Sequence, residues 1–200
     1  MIKMAFELSE EIHNVVMVRS VTRLSHASGS VVFGELKPTE KKAFFKHSGS
    51  ILDPVKGPMS SLPVPYRHAQ QQEKLKQATA RFEESAFNSY SGPEAPEILL
   101  ITSSACHLYS KEAISLLGVA DRVGLLKLGT TWPLPPGLME KYLGITDKIL
   151  IVEEVIPFLE ENIKILAAEQ ASRIGPKTFY GKRAGDIPST NEMNPDLVAT

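Results

Sequence analysis

The 200-residue sequence predicts an α/β domain: a parallel sheet with helices on both faces, preceded by a looser N-terminal region. Three observations carry this. Continuous apolar runs begin at Ile98 (ILLI), Val123 (VGLLKL) and Ile149 (ILIV), and strands this uniformly apolar are buried on both faces. Amphipathic helical patterns separate them, so the strands are joined by crossovers and run parallel. Before residue 96 no such regularity exists.

The elements follow in order. Met4, Leu8 and Ile12 form one helical stripe, and Val15 to Val18 and Val31 to Phe33 read as two short strands. One helix and two short strands cannot bury a core, so residues 1–35 read as the end of a domain that begins elsewhere. Residues 36–95 are rich in lysine, proline and glycine and read as a surface connection. It contains one polar helix, Ala69 to Asn88, whose narrow stripe is Leu75, Ala78, Phe82 and Ala86. "SYSGPEAPE" closes that helix as a linker. Residues 96–200 form the regular domain. Ser110 is expected to cap KEAISLL, with Gly118 as its stop. Pro136 suits the first turn before LMEKYL, with Gly144 closing it. Pro157 starts FLEENIKILAAEQAS, whose Leu159, Ile163, Leu166 and Ala167 face one way.

Composition narrows the function. With 42% hydrophobic and 22% charged residues and a net charge of -1, nothing points to nucleic acid or an anionic membrane as partner. No apolar run approaches the roughly 20 residues of a membrane span, and the chain reads as cytoplasmic. The single cysteine, Cys106, excludes an internal disulfide, a CxxC pair or a cysteine-ligated cluster built by this chain, and reads as a small buried side chain near a strand end. Neither GxGxxG nor GxxxxGK[ST] occurs, so nucleotide binding by this chain alone is not expected. The five histidines, His13, His26, His47, His68 and His107, lack metal-ligand spacing.

Three places merit chemical scrutiny. Glu153 and Glu154 follow the strand ILIV, and adjacent strand residues point to opposite faces, so they cannot act on one atom together. A structural role is favoured, such as capping the next helix or meeting a lysine. "GTTWPLPP" lies beyond the carboxyl end of a strand, where ligands of α/β sheets sit; Thr130, Thr131 and Trp132 form a candidate contact surface. "RSVTRLSH" groups Arg19, Arg23 and His26, and two guanidiniums with an imidazole can hold a carboxylate. The competing reading is a solvated loop with ordinary ion pairs, which the residues alone favour.

"AFELSEEIHNVVMVRSVTRLSHASG" resembles the end of the first domain of the large (alpha) subunit of indolepyruvate:ferredoxin oxidoreductase. In that family a helix ending in ELSEE precedes a strand and then R-T-T-T-R-x-x-H. Arg19, Thr22, Arg23 and His26 match, whereas Ser20 and Val21 replace two threonines. "VPYRHAQQQEKL" partly resembles the family linker at Val64, Pro65, Arg67 and His68. "ILLITSSACHLYSKEAISLLG", "LLKLGTTWPLPPGLMEKYL", "ILIVEEVIPFLEENIK" and "YGKRAGDIPSTNEMNPDLV" resemble, in order, its second domain, which is similar to the transketolase C-terminal domain.

The resemblance implies a three-layer α/β/α sandwich on a mostly parallel five-stranded sheet, with residues 1–35 as the tail of a pyrimidine-side domain, 36–95 as linker and 96–200 as the transketolase-like domain. It implies a parent enzyme that oxidatively decarboxylates an aryl 2-oxo acid to acyl-CoA. Thiamine diphosphate, Mg and [4Fe-4S] clusters would belong to other domains of that parent. Its partners would be a smaller beta subunit, ferredoxin and CoA, and the assembly would be dimeric. Within this internal fragment no catalytic, cofactor-binding or metal residue is implied; the segment would mainly pack domains and be inactive alone. Arg19, Arg23 and His26 would lie near the substrate, and Thr130, Thr131 and Trp132 would touch a neighbouring domain. "AGDIPSTNEMN" departs from the family's diphosphate motif, since Ile187 follows Gly185-Asp186 and Asn191 comes too soon. The reading from another class is an independent, non-catalytic α/β assembly or interaction module.

Overall fold

The computed structural model describes residues 1–35 and 64–199. The first helix, α1 (Ile2–Ile12), buries Ala5, Leu8 and Ile12, the stripe that its sequence spacing requires. It stops at His13, which takes the left-handed conformation (φ 49°, ψ 52°) and returns its N–H to the Ser9 carbonyl.

Neither N-terminal strand expected from the sequence forms. Val15 and Met17 are largely exposed, as are Val31 to Phe33, and these stretches carry no regular secondary structure and no ladder hydrogen bonds. An apolar run becomes a strand only beside another strand, and among the described residues none lies alongside. The only regular element here is the one-turn helix α2 (Thr22–Ser25).

The long helix α3 (Val64–Glu83) starts earlier and ends earlier than its stripe suggested. Ala78 and Phe82 pack on Leu8 and Ile12 of α1, forming a small separate core, while Ala86 lies beyond the helix and is exposed. The linker reading of "SYSGPEAPE" is also corrected: Ser89–Ser91 is strand β1. Three residues are too few to show alternation, so β1 is recognisable only from its pairing.

The sheet is completed by β2 (Ile98–Thr102), β3 (Val123–Lys127), β4 (Lys148–Val152) and β5 (Thr178–Tyr180). Its order is β1-β3-β2-β4-β5. The pairs β2/β3, β2/β4 and β4/β5 are parallel, with Leu99 opposite Gly124 and Ile149, and β1 alone runs antiparallel, Tyr90 facing Leu126. The three apolar runs seen in the sequence are the three central strands, and the five-stranded, mostly parallel α/β architecture is as expected.

Helices cover both faces. On one, α5 (Pro136–Leu143), α6 (Phe158–Glu169) and the short α7 (Ala171–Ile174) enclose Leu99, Ile101, Leu126, Ile151, Leu159 and Ile163. On the other, α4 (Ala105–Leu117) and the terminal α8 (Pro195–Ala199) cover a smaller group of Cys106, Val152, Ile187 and Met193. Pro136 and Pro157 open α5 and α6, and Gly118 ends α4 in the left-handed conformation (φ 65°), as expected.

Ser110, expected as a cap, instead lies inside α4, fully buried, its hydroxyl without a partner among the described residues. The helix begins almost directly after β2, so Cys106 and Ser110 both fall on the stripe that continues to Ala113. Pro136 lacks an N–H, and the next two donors, Gly137 and Leu138, are satisfied by Glu83 of α3 at 2.8 and 2.7 Å. One carboxylate thus joins α3 to the domain.

Candidate functional site

From central β2 the chain goes to β3 on one side and then to β4 on the other. The loops leaving β2 and β4 therefore diverge, and a crevice opens at the carboxyl ends of these strands, where ligands of such sheets bind. One wall of a cleft of about 600 Å³ is Glu154 and Val155, directly after β4; residues 19–23 and 189–192 form the rest. Val155 has φ 67° and Asn191 φ 70°. For a β-branched residue such as Val155 this is a strained backbone, and strain of this kind collects at functional sites.

Arg19 and Arg23 are brought together in this cleft, and His26 is not among its lining residues. His26 closes α2 and is exposed. The two arginines differ. Arg19 is exposed and makes no hydrogen bond or ion pair with the described residues. Arg23 donates from Nη1 to the Tyr109 hydroxyl at 2.7 Å and from Nη2 to Glu192, and its guanidinium lies 5.7 Å from the Tyr109 ring centre. Glu192 raises the already high pKa of Arg23, first through the hydrogen bond and then through its charge.

Glu153 and Glu154 part company, as strand alternation requires. Glu154 faces the cleft, whereas Glu153 turns inward and accepts the N–H groups of Leu159 (2.8 Å) and Glu160 (2.9 Å) at the start of α6. Burial raises the pKa of Glu153, with the two N–H donors opposing. Of the two structural roles the sequence left open, capping the next helix or meeting a lysine, Glu153 takes the first.

Two buried charges had no signal in the sequence pattern. Glu160, fully buried, binds Lys164 and accepts the Arg183 N–H at 3.1 Å. Lys182, also buried, donates to the Pro188 carbonyl. Together they fold the loop after β5 toward the cleft. Glu160 and Lys164 have the i, i+4 spacing of a helix pair, but that spacing cannot say which carboxylate is buried.

In the β3–α5 corner Thr130 is buried and held by Asn88, whose Oδ1 accepts the N–H groups of Gly129 (2.9 Å) and Thr130 (3.1 Å). Thr131 is partly exposed. Trp132 is 56% exposed, touches Phe158 edge-on at 6.2 Å between ring centres, and precedes a cis proline. Val155 and Ile156, after β4, are also exposed.

Cys106 is 1% exposed and its thiol is pushed up to about 12 by burial, then by Glu154, against the opposing effect of Lys182. Alkylation by iodoacetamide at pH 8 is expected to be at least about a hundredfold slower in the folded chain than in the urea-unfolded one. Comparable rates would show that the thiol is accessible after all. His107 has its pKa lowered by burial and then by Lys127 and Lys111.

A single buried thiol does not fit an iron–sulfur cluster. Asp186, of the Gly-Asp pair, accepts the Gly181 N–H at 2.9 Å and so serves its own loop. These residues do not fit a cluster or a magnesium diphosphate. Among the described residues no group of three or more His, Cys, Asp or Glu stands close enough to hold a metal ion. No helix among them is long and apolar enough to cross a membrane.

The fold is similar to part of one solved oxidoreductase. The solved structure of 2-oxoglutarate:ferredoxin oxidoreductase from Magnetococcus marinus, with 2-oxoglutarate, coenzyme A and succinyl-CoA bound, matches 77% of this chain and 26% of its own at a TM-score of 0.52 and 14% identity. No family model matches the chain. The sequence is more specific. Indolepyruvate oxidoreductase subunit IorA of Pyrococcus horikoshii is 38% identical over 197 residues, covering 96% of this chain and 29% of that subunit. The subunits of Thermococcus kodakarensis and Methanothermobacter thermautotrophicus are 39% and 32% identical over 198 and 199 residues. The chain is a homologue of indolepyruvate oxidoreductase subunit IorA, and it spans about three tenths of the length of these relatives.

Proposed function

We propose that this chain is part of an indolepyruvate:ferredoxin oxidoreductase that oxidatively decarboxylates an aryl 2-oxo acid to an acyl-CoA, in the cytoplasm, during amino-acid catabolism. The observation that carries the reading is the 38–39% identity to IorA subunits over 96% of the chain. Thiamine diphosphate, Mg and the [4Fe-4S] clusters would be held by other parts of the enzyme, and these cofactors would supply the decarboxylation and electron transfer. A smaller beta subunit, ferredoxin and CoA would be the partners, in a dimeric assembly. In this chain, Thr130, Thr131 and Trp132 would meet a neighbouring domain, with Trp132 as the apolar anchor. The segment is mainly structural and without activity alone.

One part approaches the substrate. Arg19 has no protein partner among the described residues and lines a cleft beside the loop that leaves β4, so its guanidinium is available to a substrate carboxylate. Such a charge-assisted hydrogen bond is worth about 1.5–3 kcal/mol. In the complete enzyme, Arg19→Ala is expected to lower kcat/KM for an aryl 2-oxo acid tenfold or more, about 1.4 kcal/mol. Steady-state kinetics identical to the parent enzyme's would remove Arg19 from substrate binding.

A further inference from the structure

We propose that Arg23 is a positioning residue: gripped between Tyr109 and Glu192, it clamps the segment carrying Arg19 onto the α/β domain and so sets where Arg19 stands in the cleft. The placement of Arg19 rests on the function proposed above; the clamp itself rests only on the geometry.

Three features make Arg23 a clamp. Its two terminal nitrogens are used separately, Nη1 for the Tyr109 hydroxyl and Nη2 for Glu192, residues that lie 86 and 169 positions away in sequence. Both anchors are fixed to the domain. Tyr109 is on α4 and packs against the Cys106, Val152, Ile187 and Met193 core, and Glu192 immediately precedes the buried Met193. Finally, the grip reaches Arg19, because the segment is braced internally. The Ser20 and Ser25 hydroxyls lie 2.9 Å apart, and Ser25 Oγ also donates to the Val21 carbonyl at 3.1 Å, closing residues 20–25 into one unit around α2.

An exposed ion pair alone holds little. Here the pair is joined by a phenol hydrogen bond and by the face of the same ring, a network whose members support each other. The planar fork also suits the arrangement, since its two terminal nitrogens reach separate partners, whereas a lysine's donors all radiate from one nitrogen on a flexible stem. Arg23 is therefore occupied where Arg19 is available, and the two arginines of the motif divide the work of holding and binding.

Hydrogen exchange on the full chain tests the clamp. Tyr109→Phe and Glu192→Gln should each speed exchange of the amides in residues 22–26 about fivefold, leaving β2 and β4 unchanged. Arg23→Lys should behave like the losses rather than rescue them. In the complete oxidoreductase, Tyr109→Phe and Glu192→Gln should raise KM for the aryl 2-oxo acid about fivefold with kcat within about twofold. Exchange unchanged in both variants overturns the clamp whatever Arg19 does. Faster exchange with unaltered KM overturns the positioning role. Silent Arg19→Ala kinetics would instead sink the carboxylate reading, and the clamp would stand on its exchange result.

Discussion

Glu153→Ala is expected to lower the stability of the chain by about 2–4 kcal/mol, because two backbone donors at the start of α6 lose their shared acceptor. The cap residue of that helix is Pro157, which has no side-chain acceptor, so Glu153 stands in from the end of β4. A negative charge at a helix N-terminus is also favourable. Glu153→Gln should fall between, since its amide keeps one acceptor oxygen but turns a donor toward the other N–H. The two carboxyl forms differ in stability as well. Burial raises the folded-state pKa of Glu153 above its unfolded value, so the native state binds its proton more tightly. Between those two values this group's contribution falls as pH rises, and it levels off above the folded value. Urea titrations at several pH values should therefore show the stability of the natural chain declining relative to Glu153→Gln across that window. A difference that grows in the natural chain's favour with pH would reverse the assignment.

Gly129→Ala should destabilise by about 2–3 kcal/mol through overpacking. A methyl group there would lie 2.6 Å from both the Phe87 Cβ and the Phe87 carbonyl oxygen. The carbonyl cannot retreat cheaply, because the next residue is Asn88, whose side chain holds Gly129, Thr130 and the Phe82 carbonyl together. The corner after β3 is thus fastened to the end of α3 by a single amide. Denaturation of Gly129→Ala within about 0.5 kcal/mol of the parent chain would show that this corner yields more easily than its packing suggests.

The sequence disclosed what depends on burial over several residues. β2, β3 and β4 are buried on both faces and could be read directly from their apolar runs, and α5 and α6 from the prolines that open them. Elements defined by a partner were hidden. Ser89–Ser91 is a strand because β3 lies beside it, and Val15 to Val18 is not one because, among the described residues, nothing does. The start of α4 was misplaced at Ser110 since a serine at a helix boundary and a serine on a buried stripe look alike until the boundary is known. At the site, grouping Arg19 with Arg23 follows from their proximity in the chain. That one is held and the other is not depends on Tyr109 and Glu192, for which no local pattern exists.

The N-terminal segment resembles a door. Its hinge side is His13, where α1 turns off: the helix before it is seated on α3 through Leu8, Ile12, Ala78 and Phe82, and Lys74 holds the His13 carbonyl. Its latch is Arg23. The hinge is mostly oil and the latch is mostly charge, so they answer to different solvents. Raising salt from 0.1 to 1 M shortens the screening length from about 10 to 3 Å and weakens the latch, while apolar contacts are left intact. High salt is therefore expected to loosen the segment around Arg23 while α1 stays seated on α3.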